Sequence, residues 1–441
     1  MAANPSTPGV PDFDVQVFQN EYVPLGGQVV HAIAQVTASG AGATGVPVTS
    51  QAAQVILVDT SGSMDFPGTK LIAAKQATKA AIDTMRDGTL FAVVSGTGMA
   101  TMVYPQDERL VVLDATTRAE AKRAVDRLRS RGGTAMGSWL MAAKRLLEPY
   151  PHTIRQAILL TDGKDESETE ADLEAAIQAC QGVFTCDCRG VGTDWVVSEL
   201  RKVASGLLGS LDLVAEPAKL VEDFTAMIEN AMGKAVADVA LRVRTPGTAK
   251  VRFVKQVRPT IEDLTDRRAD AGTNIGDYPT GSWGAESRDY HICLEVRPAD
   301  LNDRVRVALV SLVSRGPDGS ETELTRIGVF GEWTDNEELS TKISREVAMY
   351  TGRAELAAAI QGGLEARRQG DDDEATAKLG RAYALAAEAQ DEDTAKLLRN
   401  LVEVEPVTGT IKLKDRSKVS VEDEMRLDTD SVKTSRLRPK P

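Results

Sequence analysis

Three oxygen-bearing side chains, Asp59, Ser61 and Ser63, occupy alternate positions of the stretch Asp59-Thr60-Ser61-Gly62-Ser63, which Gly62 keeps open as a turn. Two more polar groups stand far along the chain, Thr134 closing Arg131-Gly132-Gly133-Thr134 and Asp162 within Leu160-Thr161-Asp162-Gly163. Together they supply two carboxylates and three hydroxyls, all hard oxygen donors. Such donors suit Mg2+ or Mn2+, which favour six oxygens and commonly retain waters. Two carboxylates are too few to satisfy the cation strongly, so a position is left for an outside carboxylate. That is a mechanism for recognising a protein partner. Each residue also has an ordinary reading: Ser61, Ser63 and Thr134 as helix caps, and Asp162-Gly163 as a common turn dipeptide. Their placement on the elements decides between the two.

The pattern over residues 50–232 alternates buried strands with helices, which argues for a doubly wound, Rossmann-like α/β domain. Residues 52–58 form a continuous apolar run, as a strand buried on both faces should. Residues 70–86 repeat apolar side chains at helical spacing, and LFAVVS with MATMVY reads as a hairpin. Helices are expected at 117–129, 136–148, 170–181, 194–205 and 217–232, and strands at 155–161, 183–191 and 211–214. Asp59 and Asp162 then end two buried strands, and Thr134 precedes a helix. In a doubly wound sheet, ligands sit at those carboxyl ends, where neighbouring loops diverge.

With that order in place, D-x-S-x-S, a loop threonine and an aspartate in a TDG turn resemble the metal-ion-dependent adhesion site of von Willebrand factor type A domains. The resemblance covers roughly 180 residues and implies that Asp59, Ser61 and Ser63 lie on the first loop, Thr134 on the second and Asp162 on the third. It also implies that the serines and the threonine bind the metal directly, and the aspartates directly or through water. An enzyme is the lesser reading. A phosphohydrolase of the haloacid dehalogenase type needs an acid two residues after its aspartate to protonate the leaving group, and Ser61 stands there. His31, His152 and His291 are scattered, with His31 and His291 read as packing or surface residues, and no phosphate-binding G-x-x-x-x-G-K-[ST] occurs.

Around this domain the pattern changes. Residues 12–40 hold two strand-like stretches split by a Pro-Leu-Gly-Gly turn and followed by a Gly/Ala/Pro-rich linker, and 236–332 hold strands only, as in a β-sandwich. Lone N-terminal strands would be unstable, so they are expected to complete that sandwich, with the α/β domain inserted in one of its loops. In it, Gly281-Ser282-Trp283-Gly284 reads as a turn with a half-buried tryptophan. Residues 336–404 read as two or three Ala-rich helices broken at Gly370-Asp371 and near Asp391. Residues 405–441 read as a polar tail, disordered beyond a short IKLK strand.

The bulk numbers fit this organisation. At 441 residues, 42% hydrophobic and 27% charged, the chain is of ordinary globular composition and spans two or three domains. A net charge of −13 disfavours nucleic acid and anionic membrane surfaces. No secretory leader is read before residue 11, and no run approaches the roughly 18 apolar residues of a membrane span. The expected location is the cytoplasm, where four cysteines form no disulfide framework. Cys186-Asp187-Cys188, with Cys180 near, reads as core thiols rather than a metal site. The tail carrying Thr429 and Thr434 resembles threonine-bearing tails that meet serine/threonine kinases and forkhead-associated domains. The alternatives to metal-dependent partner binding are therefore a metal-dependent phosphohydrolase, or a scaffold binding through its helical domain and a phosphorylated tail.

Overall fold

The structure is a computed structural model that describes residues 11–39, 51–151, 153–316, 318–404 and 411–434. The linker read after residue 39, His152 and the last seven residues of the tail lie outside the described residues.

A central sheet runs in the order Leu211–Val214, Thr185–Val191, Ile154–Thr161, Ala52–Asp59, Leu90–Gly96 and Ala100–Tyr104. The first five strands are parallel, and Ala100–Tyr104 folds back antiparallel at the edge. Both faces are covered, which is why the strands are apolar without alternation. Ala53, Val55 and Leu57 face the helices Met136–Leu147, Glu170–Cys180 and Val197–Gly206. Ile56 and Val58 face Thr69–Thr84, Ala115–Asp126 and Leu220–Met232. Within the strand Ala52–Asp59 the amide of buried Gln54 reaches across the sheet, its Nε2 donating to Gln156 Oε1 at 2.9 Å. The helix after Ala52–Asp59, Thr69–Thr84, leaves to one face, and the helix after Ile154–Thr161, Glu170–Cys180, leaves to the other. Their loops therefore diverge above the two central strands, and a crevice opens there.

Two further sheets pack face to face. The first runs Asp12–Gln19, Val29–Ser39, Ser287–Val296, Ala249–Arg258 and Glu262–Asp263; the second contains Ile275–Gly284, Lys234–Arg244, Arg304–Arg315 and Glu321–Thr334. Val29–Ser39 pairs with Ser287–Val296 along nine registered residues, so the α/β unit connects two strands of one sandwich. Ala32, Val36, Tyr290 and Leu294 from one sheet meet Leu241, Leu312 and Trp333 from the other in a single core. Trp283, expected half-buried in a turn, is instead fully buried in Ile275–Gly284, with its indole Nε1 donating to Thr280 Oγ1 at 3.0 Å. His291 is likewise interior, 3.0 Å from His31. All four cysteines are free and buried, and no group of three or more His, Cys, Asp or Glu placed to hold a metal occurs among the described residues.

Helices Arg345–Gln369, Asp372–Glu388 and Glu392–Leu401 follow. The first ends at Gly370 in the left-handed conformation (φ +85°), which glycine adopts without strain. Asp371 and Asp391 cap the next two by accepting from Glu374 N and Thr394 N.

The tail departs from expectation. Ile411–Leu413 pairs with Val402–Val404, and Val421–Asp430 is a helix capped by Ser420 and docked through Met425 and Leu427. Its polarity suggested disorder, but its charges have fixed partners: Asp428 pairs with Arg201 and Arg368, and Glu424 with Arg367. Beyond the helix, Ile261 N donates to Val432 O and Thr434 N to Pro259 O, both at 2.7 Å. Thr429 is 2% exposed, and the Thr434 hydroxyl donates to Val257 O. Neither threonine is an open phosphate acceptor in this arrangement. No helix among the described residues is long and apolar enough to cross a membrane.

Candidate metal centre

All five residues singled out by spacing meet at the carboxyl end of the central sheet. Asp59 ends its strand fully buried, and the backbone then turns so that Ser61 N donates back to Asp59 Oδ1 at 2.7 Å. Thr161 Oγ1 donates to the other oxygen at 2.5 Å. Ser61 Oγ and Ser63 Oγ lie 2.9 Å apart, and Ser63 Oγ donates to Asp162 Oδ1 at 2.7 Å. Gly163 closes the ring: a methyl group on its Cα would lie 3.1 Å from Ser63 Oγ, 3.4 Å from Thr134 Oγ1 and 4.0 Å from Ser61 Oγ.

The loops are stitched by backbone. Gly62 N donates to Gly132 O at 2.9 Å and Arg131 N to Thr60 O at 2.7 Å, locking the first loop to the second. Ser167 N donates to Thr134 O at 2.9 Å, locking the third to the second. Behind them the Trp139 indole lies flat on Gly96, where a Cβ would come within 2.4 Å of the ring, and its Nε1 donates to Thr97 O at 2.6 Å.

The ordinary readings do not describe these side chains. Ser61 stands at the N-cap of the short turn Gly62–Asp65, yet its side chain makes no capping bond. The N-cap of Met136–Leu147 is Ala135, not Thr134, and the free N–H groups of that helix go to Asp165 Oδ2 (from Met136, 3.1 Å) and Glu168 Oε1 (from Gly137, 2.5 Å). The Thr134 hydroxyl is thereby released from capping. Asp162 is fully buried, unlike an exposed turn residue.

The donor set fits a hard divalent ion. Burial pushes the Asp59 carboxyl up to about 6 against the hydrogen bonds from Ser61 and Thr161 that pull it down. A buried carboxylate in this state favours an added cation. Five clustered oxygens without nitrogen or sulfur suit Mg2+ or Mn2+.

Four participants were not read from the sequence. Thr161 orients Asp59, and Asp165 with Glu168 takes over helix capping. The fourth, Lys70, is 4% exposed and places its ammonium 2.7 Å from both Asp162 Oδ2 and Asp194 Oδ2. Burial alone would lower it, but the bonds and charges of those two aspartates hold it above its ordinary value. Only Thr161 had a signal, its hydroxyl adjoining Asp162 at a strand end; the others act across long sequence separations.

Two measurements probe this shell. Gly163→Ala puts a methyl group among three of the proposed ligands, so ion affinity should fall at least about tenfold, the low end for disturbed supporting groups. Calorimetric titration reads this, and a thermal midpoint within a few degrees of wild type shows the fold intact. Asp165 is pushed up to about 8 by burial and by its neighbour Glu168. Its proton is bound more tightly in the folded chain than in the unfolded one, where carboxyls titrate near about 4. That contribution is complete below the unfolded value and is lost as pH rises through about 8. The urea midpoint should therefore fall between pH 6 and 9, and Asp165→Asn should flatten the decline.

With the geometry established, the similarities identify the class. Residues 53–212 match the von Willebrand factor type A domain, and residues 384–431 match the von Willebrand factor type A C-terminal domain. A von Willebrand factor type A protein from Catenulispora acidiphila is 49% identical, covering 98% of this chain and 99% of its own, with a TM-score of 0.93. The ArnB paralog VWA2 from Sulfolobus acidocaldarius shares the fold at 12% identity, with a TM-score of 0.58 over 95% of this chain and 97% of its own. No curated protein matches the chain. The chain belongs to the von Willebrand factor type A family, whose members commonly mediate metal-dependent protein interactions. The match at 384–431 takes in the docked helix Val421–Asp430, so that segment is part of a recognised domain.

Proposed function

We propose that this protein is a non-enzymatic interaction module that binds a carboxylate of a partner protein through Mg2+ or Mn2+. The ion would be held by Asp59, Ser61, Ser63, Thr134 and Asp162. One observation carries the reading: three hydroxyl oxygens from two loops, those of Ser61, Ser63 and Thr134, converge on the bare Cα of Gly163 on the third, beside Asp162, which accepts from Ser63, and a buried Asp59 that has hydrogen bonds but no salt bridge among the described residues. When bound, the ion supplies a Lewis-acidic position for an external oxygen. The protein's own part is to hold the loops in register and keep the two carboxylates apart. The serines and threonine add neutral oxygens, so the residual positive charge of the ion remains available to a partner. The cytoplasm is the compartment we assign, in keeping with four buried free thiols.

A phosphohydrolase is disfavoured by chemistry, because Ser61 stands where a general acid would be needed and its N–H already holds Asp59. The test is calorimetric titration with MgCl2 and MnCl2, then copurification of partners with and without EDTA. EDTA-sensitive partners carry the proposal. Steady hydrolysis of p-nitrophenyl phosphate that disappears in Asp59→Ala would overturn it.

A further inference from the structure

Lys70, paired with Asp162, sets a positive charge beside the proposed cation site. Its side chain is 5% exposed, and its ammonium sits between a fully buried aspartate and one that is 64% exposed. The exposed partner, Asp194, lies on the loop after Thr185–Val191, and that loop is shaped around the lysine. Gly192 (φ +69°) presents a bare Cα whose Cβ would lie 3.4 Å from Lys70 Cε and 3.9 Å from Nζ. Trp195 is buried against Gly190 and donates from Nε1 to Gly192 O at 3.0 Å, which fixes the loop that carries Asp194. Lys70 is thus held by two separate elements and cannot swing freely into solvent.

We propose that Lys70 is a resident cation that sets the ion affinity of this site, with Asp194 as the carboxylate that holds it back from Asp162. The inference rests on the metal-binding reading above. Its physical basis is charge and geometry. Asp59 and Asp162 would offer a divalent ion two negative charges, and Lys70 cancels one of them. Lys70 also occupies Asp162 Oδ2, while Asp162 Oδ1 receives Ser63 Oγ, so one oxygen of the ligand is withheld from an incoming ion. An ion arriving among the serines repels an ammonium 2.7 Å from the same carboxylate, and the second acceptor at 2.7 Å lets Lys70 remain paired on Asp194. The consequence is a deliberately weak site, which favours an ion whose hold is completed by the carboxylate of a partner.

The test is Mn2+ titration of the full chain at fixed pH and ionic strength for wild type, K70M, D194N, the K70M/D194N double variant and D59A. K70M should bind Mn2+ at least about 10-fold more tightly, because it removes a like charge that stands a few ångströms from the ion. D194N should bind more weakly than wild type, because Lys70 then rests on Asp162 alone, and should have no effect in the K70M background. If K70M binds no more tightly while D59A still abolishes binding, the role of Lys70 is refuted and the ion site stands. A D194N effect that persists undiminished without Lys70 also refutes it, since Asp194 would then act by its own charge. Should K70M not fold, D194N decides: unchanged affinity refutes the proposal. If neither wild type nor K70M binds Mn2+, the ion-site reading itself has failed.

Discussion

Asp59→Ala is expected to abolish Mg2+ and Mn2+ binding and every ion-dependent partner contact while leaving the chain folded. The two halves of that result have different causes. Asp59 is one of only two carboxylates in the oxygen cluster, and its removal takes away half of the anionic charge. The fold survives because the local account nearly balances. Ser61 N and Thr161 Oγ1 lose their acceptor, at about 1–3 kcal/mol for each buried group left unsatisfied. Against this, the variant no longer buries a carboxylate whose pKa burial has pushed up to about 6, and water can enter from the open carboxyl end of the sheet. Differential scanning calorimetry separates the two. Ligand at a hundred times its dissociation constant stabilises a folded protein by about 2.7 kcal/mol, so wild type should melt higher in Mg2+ than in EDTA. Asp59→Ala should melt at one temperature in both. An Mg2+-dependent rise of equal size in the variant would place the ion elsewhere. Loss of the melting transition itself would make Asp59 a structural residue.

The second large effect belongs to the C-terminal helix. Asp428→Ala should cost about 2–3 kcal/mol, somewhat less than the 3–5 of a wholly buried pair. The aspartate side chain is 3% exposed, but its partners Arg201 and Arg368 are 25% and 45% exposed and keep some water after the loss. Arg201 belongs to the α/β domain and Arg368 to the helical domain, while residues 432–434 pair with the backbone of the sandwich. Asp428 thus holds a junction of three units. Urea unfolding and limited trypsin digestion read the outcome: a lower midpoint and early cleavage within 421–434. Arg426→Ala, at an exposed position of the same helix, should stay within about 0.5 kcal/mol of wild type. A wild-type midpoint and protease pattern in Asp428→Ala would refute the junction.

Much of this molecule could be read from one strand of text, because its chemistry is written next to its punctuation. Asp59 and Asp162 each follow a run of apolar residues that only a doubly covered strand tolerates, and Thr134 follows two glycines before a helical repeat. Continuous apolar runs and the helical period of 3.6 residues therefore place these oxygen-bearing residues at one end of one sheet. What the text lacks is any local mark of charge pairing across distance. Lys70 looks like an ordinary polar residue of a helix's first turn, and only the fold sets it on Asp162, 92 residues on. Nothing local to Asp165 and Glu168 shows that they accept from Met136 N and Gly137 N, about thirty residues away in the chain. The tail read as disordered for the same reason: a polar segment is expected to stay in water unless specific partners compensate its charges, and Arg201 and Arg368 are supplied by distant helices. Side-chain type and periodicity are properties of a neighbourhood in sequence, and they determined the sheet and the order of the oxygen-bearing residues along it. Compensation of buried charge is a property of a neighbourhood in space, and only tertiary structure decided that Asp162 is paired with Lys70 while Asp59 is held by hydrogen bonds.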